Sequence, residues 1–325
     1  MIVEPLNLRP YDPAADTAAL AGIAALANGE PYSSERILYD LTIPGIDPRR
    51  DIAVCECADG GIGGYAVLSI NDVSGVRQGR LECRVPPDVP DWIRLSRALL
   101  LWAARRMQEE LDTTAAPTVL VEMVRDEDLP RREFLEDAGF RAIRFYRIMR
   151  LDNPAATVEL PPPPGYSYIH GPGAQAAAEY VAMFNDTWVD HYGFTPLTIE
   201  YFLHDIESDP DYDPALDIVL VHPDGRFAGF SFCRIEPQDD TLGEVLAIGI
   251  RRGHRGAGLG RILLTHSIRT LTDRGVAAVE LTVDSENPTG AERLYESVGF
   301  RVVSMKRRYR LEADGIIRLA TLDLC

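Results

Sequence analysis

Apolar residues along this chain change their spacing in an order that can be followed twice. After residue 165 the pattern predicts a short strand at Tyr166 to His170, helical stretches over Ala174 to Val189 and Thr198 to Glu207, and a hairpin of Asp217 to Val221 with Phe227 to Ile235. A third strand, Leu242 to Ile250, leads through RRGHRGAGLG into a helix that runs to about Asp273 and stops at Gly275. Strand Val279 to Val283, helix Gly290 to Val298 and strand Phe300 to Arg310 follow, and Ile316 to Leu324 reads as one more strand. The first half repeats this order: a helix from Ala14, strands Ile52 to Cys57, Tyr65 to Ile70 and Arg80 to Val85, helix Trp92 to Leu111, strand Val119 to Val124 and helix Pro130 to Ala138.

Both halves close alike, with DAGFRAIRFYRIMRL at Asp137 to Leu151 and SVGFRVVSMKRRYRL at Ser297 to Leu311, a repeat of about 160 residues. Between them DNPAATVELPPPPG holds four consecutive prolines, which suit an extended spacer and cannot continue a helix or central strand. The expected organisation is therefore a domain over 1–151, a Pro-rich linker over 152–165 and a second domain over 166–325.

Composition narrows the class. At 325 residues, 46% hydrophobic and 26% charged, the chain has the material for two globular cores. Fifty acidic residues against 33 basic ones give a formal charge of -17, which argues against nucleic acid or an anionic membrane as a partner. The opening MIVEPLNLRP lacks a basic and then apolar leader pattern, so a soluble cytoplasmic protein is expected. Cys55, Cys57, Cys83, Cys233 and Cys325 have neither zinc-ligand nor CxxC spacing and read as free thiols, and no metal is expected.

The chemistry concentrates at Arg255, Gly258 and Gly260, an RxxGxG placed between a strand and a long helix. Glycines there uncover backbone N–H groups at the positive end of a helix dipole, the arrangement that receives a pyrophosphate, and Arg255 adds full charge. A dinucleotide loop competes, since Gly256, Gly258 and Gly260 partly spell GxGxxG and Glu280 follows at a suitable distance. Against it, Arg261 occupies the third small position and the preceding strands run mostly antiparallel. A Walker loop is excluded because no GK[ST] follows.

Together with ENPTGAERLYESVGF at Glu286 to Phe300, the RRGHRGAGLGRILL segment makes the second half resemble a GCN5-related N-acetyltransferase (GNAT). Two such units in one chain resemble the mycothiol synthase type of tandem acetyltransferase. The implied fold class is α/β, two tandem GNAT-like domains, each a central mixed, mostly antiparallel sheet flanked by helices. The resemblance implies acetyl-CoA as the acyl donor, its pyrophosphate on Arg255, Gly256, Ala257, Gly258, Leu259, Gly260 and Arg261. It implies a pantetheine arm running in a gap between Leu242 to Ile250 and Val279 to Val283, held by Ile248, Gly249 and Ile250, with Asn287 and Tyr295 nearby. It also implies Glu244 as the base that deprotonates a primary amine and Tyr295 as the acid that protonates the departing sulfur, in a direct transfer without a covalent enzyme intermediate.

The acceptor is expected to be a small-molecule amine. Asp186, Asp190, Glu200, Asp205, Glu207, Asp209, Asp211, Asp213 and Asp217 crowd a stretch without Lys or Arg, which would suit a cationic amine or form only a solvated acidic loop. Trp188, His191, Tyr192 and Phe194 of TWVDHYGF are the candidate acceptor contacts. In the first half, Leu135 replaces Tyr295 and VPPDVPDW replaces the glycine loop, so that unit is expected to be degenerate, leaving one live site per chain and a monomer. Two other classes remain open: a CoA-sensing module without transferase activity, and a nicotinamide oxidoreductase.

Overall fold

A computed structural model of the chain describes residues 6–28, 31–57, 60–89 and 91–322. The chain divides into two compact units, 1–144 with 307–325, and 145–306. The Pro-rich stretch 152–165 falls inside the second unit, and the chain's last described segment belongs to the first.

In the first unit the strands are β1 (Asn7–Pro10), β2 (Ile52–Glu56), β3 (Ile62–Val73), β4 (Val76–Arg84) and β5 (Thr118–Arg125), in sheet order, followed by the end of β12 (Arg301–Glu312). Helices α1 (Pro13–Asn28) and α2 (Ser34–Leu41) cover one face, and α3 (Trp92–Leu111), α4 (Leu129–Asp137) and α9 (Ala313–Ala320) supply the rest. Strand alternation decides which face each side chain meets. Ile52, Val54, Tyr65 and Val67 pack with Leu20, Ile23 and Ile37, while Ala53, Cys55, Ala66 and Leu68 pack with Leu95, Leu99 and Met107. Strands buried on both faces read as continuous apolar runs, as these do.

The second unit repeats the plan with β6 (Arg141–Leu151), β11 (Ala278–Asp284), β10 (Asp239–Ile250), β9 (Phe227–Glu236), β8 (Asp217–Val221) and β7 (Ser167–His170) in sheet order. Helices α5 (Ala177–Trp188) and α6 (Ile199–Ser208) pack on Val219 and Phe230. On the other side α7 (Leu259–Thr272) packs on Ile218, Leu220 and Val245, and α8 (Ala291–Val298) adds Tyr295. The repeat is visible in detail at the helix ends: Gly139 (φ 100) and Gly299 (φ 110) both adopt the left-handed conformation that lets the next Phe N–H reach back to Leu135 (2.9 Å) and Tyr295 (3.1 Å).

One expected strand is a helix. Ile316 to Leu324 reads as a strand in the sequence, yet residues 313–320 form α9, with Ile316 and Leu319 one turn apart and buried in the core that α3 shares. Leu324 lies outside the described residues. The short α2, capped by Ser33 accepting from the Arg36 N–H, has no counterpart in the sequence reading. Cys55, Cys57, Cys83 and Cys233 are free thiols, and Cys325 lies outside the described residues. Among the described residues no helix is long and apolar enough to cross a membrane, and no three His, Cys, Asp or Glu side chains gather as metal ligands.

Candidate active site

The site begins where two strands part. Parallel β10 and β11 pair from Leu242–Ala278 to Val245–Leu281 and no further, although both strands continue. β11 stays paired with β6 through Asp284–Tyr146, and β10 stays paired with β9 through Ile250–Gly229, with a bulge between Val245 and Ala247. The strand edges of Leu246–Ile250 and Thr282–Asp284 thus face a gap, which opens into a cavity of about 450 Å³. Val245 to Ile248, Leu281 to Asp284, Asn287 and Tyr295 line one part of it. An open strand edge offers unpaired backbone groups to an extended amide-bearing ligand.

At the far end of β10 lies the glycine loop. Gly256 (φ 83) and Gly258 (φ 77) are left-handed, and a Cβ built at either would meet nothing, so their role is conformational. Gly258 starts α7 without a side-chain cap, and among the described residues no protein acceptor takes the N–H groups of residues 256–260. Gly260 is less demanding, its added Cβ reaching only ordinary contact with Leu294. Gly249 is tight, because a Cβ there would stand 2.9 Å from Thr187 of α5. Ile248 lines the cavity, whereas the Ile250 side chain is buried against Leu259 and Leu263.

The loop arginines point inward. Arg255 donates to the Ile250 carbonyl (3.0 Å), the Thr187 carbonyl (2.8 Å) and Asp190 (3.1 Å), so it fastens the loop to α5. Arg252 also pairs with Asp190, whose carboxyl is held below its usual range by those two guanidinium groups. Arg261 caps the Ser297 carbonyl at 3.1 Å. These ion pairs change the picture of the acidic stretch: Asp186 lies beside Arg251, Asp213 bonds Arg274, Asp217 is buried, and none of the nine acids lines the cavity. The carboxylate on the cavity wall is Asp284.

All four aromatic candidates, Trp188, His191, Tyr192 and Phe194, line the cavity. The rings of Phe184, Trp188 and His191 stack in succession at 5.5 and 4.1 Å. Asn185 fixes this wall by exchanging two hydrogen bonds with the Leu197 backbone (3.0 and 2.8 Å), and Gly193 (φ 70) makes the turn between. Burial lowers the His191 pKa, so its imidazole is neutral at pH 7.

Tyr295 lines the cavity from α8, and burial pushes its hydroxyl up to about 12, which keeps it protonated. Asn287 lines the cavity as well, while its Oδ1 accepts the Thr289 N–H at 2.8 Å and shapes the turn into α8. Glu244 lies on β10, the strand that leads to the glycine loop. It is one residue before the cavity wall, and Arg234 grips its carboxylate, with Nε donating at 3.1 Å. Arg234, Glu244, Glu280 and Arg150 form an in-register row across β9, β10, β11 and β6, with Arg150 donating to Glu280 at 3.1 Å. Tyr146, Phe184 and Asp284 reach the cavity without a sequence signal. Tyr146 in particular precedes the Pro-rich stretch and becomes part of the site only through the β6–β11 pairing.

The first unit has the same fork with different contents. Parallel β4 and β5 pair from Arg77–Thr118 to Arg80–Val121 and then part. Arg131 of α4 and Glu122 of β5, both buried, form a bidentate pair there (2.6 and 2.8 Å), beside the Cys83 thiol of β4. Leu135 takes the Tyr295 position and is fully buried. In the preceding loop Pro86 and Pro87 have no N–H, and the N–H groups of Val89 and Trp92 bond the Pro86 and Val89 carbonyls.

Residues 179–300 match the acetyltransferase (GNAT) family. The chain is similar to the mycothiol acetyltransferase of Thermomonospora curvata, 43% identical over 94 residues, which are 29% of this chain and 30% of that protein. It is also similar to the mycothiol acetyltransferase of Thermobifida fusca, 30% identical over 219 residues, 61% of this chain and 66% of that one. These alignments thus span under two thirds of the relatives' own length. Among solved structures, a tandem GNAT protein from the clavulanic acid biosynthesis pathway matches with a TM-score of 0.72 at 18% identity, covering 95% of this chain and 98% of that one. A GCN5-related N-acetyltransferase from Sphaerobacter thermophilus matches with a TM-score of 0.67 at 24% identity, covering 95% and 96%. At these identities the likeness is one of fold, and it extends over both units.

Proposed function

We propose that the second unit, whose residues 179–300 match the acetyltransferase (GNAT) family, transfers an acetyl group from acetyl-CoA to the primary amine of a small molecule. The observation that carries the reading is the continuity of two unpaired backbone surfaces: the open edge of β10 runs directly into the uncapped N–H groups of residues 256–260. In this reading the amide-rich arm of acetyl-CoA lies along Ile248, Gly249 and Ile250, and its pyrophosphate meets the N–H groups of Gly256 to Gly260 at the α7 dipole. Arg255 acts there by holding the loop in shape, as its inward bonds require, and Arg261 stands at the same helix start.

The free amine attacks the thioester carbon directly, and Tyr295 donates its proton to the sulfur as the C–S bond breaks. Glu244 attracts the cationic end of the acceptor, in competition with Arg234. The aromatic wall of Trp188, His191, Tyr192 and Phe194 packs against the acceptor body. The relatives' name puts the amine precursor of mycothiol first in any acceptor panel. With its fork filled by Arg131 and Glu122 and the N–H groups of Val89 and Trp92 already bonded, the first unit binds no acetyl-CoA in this reading.

The test is calorimetric titration with acetyl-CoA, NADH serving as the control, followed by thiol release over a panel of amines for wild type and Tyr295→Phe. We expect one acetyl-CoA per chain, no NADH binding, and a loss of about 100-fold in kcat for Tyr295→Phe with acetyl-CoA affinity kept. Absence of acetyl-CoA binding removes the proposal. Tight binding with no thiol release from any amine replaces transfer with a CoA-sensing role.

A further inference from the structure

The amine arrives as an ammonium ion, and a group in the cavity must take its proton before the nitrogen can attack. We infer that this group is His191, an inference that rests on the transferase reading above. His191 lines the cavity, and its ring stacks on Trp188 at 4.1 Å with 17° between planes. The residue is only part-buried, and its ring forms part of the cavity wall, within reach of a ligand there. Its backbone is fixed on both sides: the His191 N–H bonds the Trp188 carbonyl at 2.8 Å, and the His191 carbonyl accepts the Phe194 N–H at 3.2 Å. Glu244 is poorer placed for the task, since it stands one residue before the cavity wall and its carboxylate is already engaged by Arg234.

The charges around His191 favour a neutral ring that can still be protonated. Burial dominates and favours the neutral imidazole, as does Arg255, whereas Asp284 on the cavity wall and Asp190 favour the cation. The remaining titratable groups on the cavity wall, Tyr146, Tyr192 and Tyr295, are hydroxyls. In the proposed step the imidazole lone pair takes one ammonium proton, leaving a neutral amine. The amine forms the C–N bond while the C–S bond breaks and Tyr295 protonates the sulfur. The proton that leaves the nitrogen as the amide forms restores Tyr295, and the imidazolium returns its proton to solvent, so each turnover releases one proton.

The experiment compares wild type, His191→Gln and Glu244→Gln in thiol release from pH 5 to 8.5 at saturating acetyl-CoA, with acetyl-CoA binding measured on each. Wild type and Glu244→Gln are expected to lose kcat/KM below an inflection that lies under pH 6.5, the ordinary histidine value. His191→Gln is expected to lose about 100-fold in kcat/KM and to lack that inflection, with acetyl-CoA affinity kept. A His191→Gln variant that keeps the wild-type rate, or a slower one that keeps the same inflection, overturns the inference and leaves the transferase reading in place. A wild type that fails to bind acetyl-CoA overturns both. A second readout needs no acceptor: the imidazole proton resonance missing from His191→Gln should titrate below pH 6.5 in wild type, and a ring still charged at pH 7 overturns the inference.

Discussion

Asp217 gives the sharpest physical test of how the cavity wall is held. It is the first residue of β8, is 1% exposed, and accepts hydrogen bonds from Tyr180 of α5 (3.0 Å) and from Tyr212, which follows α6 (3.2 Å). One carboxylate therefore pins to the sheet the two helices that carry the aromatic wall. Burial raises its pKa from 3.8 to about 6, the two hydroxyls restraining the rise. Because the folded state binds this proton more tightly than the unfolded chain, the stabilisation is fully present below pH 4 and is lost as pH rises through 6. A shift of about two pKa units at 1.36 kcal/mol per unit makes that loss about 3 kcal/mol. The perturbation is Asp217→Asn, whose amide does not titrate. The offset from exchanging carboxyl for amide is the same at every pH, so the pH dependence of the difference isolates the titration. The assay is urea unfolding followed by fluorescence in a Trp92→Phe, Trp102→Phe background, where Trp188 alone reports on the second unit. Between pH 4 and 7 the stability of Asp217→Asn relative to the parent should rise by about 3 kcal/mol. A difference that stays flat to within about 0.5 kcal/mol refutes the reasoning.

Two other outcomes follow from the geometry. Gly258→Ala, forced to hold φ near 77 with no neighbour to clash with, should cost about 1–2 kcal/mol of loop conformation and weaken acetyl-CoA binding by about tenfold, read by calorimetry. Arg131→Leu leaves Glu122 buried and unpaired and should destabilise the first unit by about 3–5 kcal/mol, while Arg131→Leu with Glu122→Leu should recover most of that loss, both followed through Trp92 and Trp102.

The sequence was most readable where spacing alone carries meaning. α3 runs over the predicted Trp92 to Leu111, and the paired turns at Gly139 and Gly299 reveal the repeat because each needs a left-handed residue before a buried Phe. The TWVDHYGF aromatics were legible as a group because they are contiguous on one turn of chain. What was hidden depends on register between distant strands. Arg234 meets Glu244 only when β9 and β10 are aligned, and Tyr146 reaches the cavity only because β6 pairs with β11. The inward aim of Arg255 was hidden for a related reason, since its partners are two backbone carbonyls and one acid on other elements. The Arg131–Glu122 pair needed both the fork and α4 in place before either charge had meaning. α9 was misread because Ile316 and Ile317 have the branching of strand residues, and only its packing shows which face is covered.

The first unit buries Tyr309, Leu311, Ile316 and Leu319, residues that leave the ribosome after the whole second unit has been synthesised. Its nascent core must therefore wait, with Leu81, Leu99 and Leu120 unsealed, while residues 145–306 emerge and fold. A translation product that stops at Lys306 therefore carries a finished second unit and an unfinished first one. A frameshift after Lys306 thus strikes the unit that was begun first and spares the unit that was begun second.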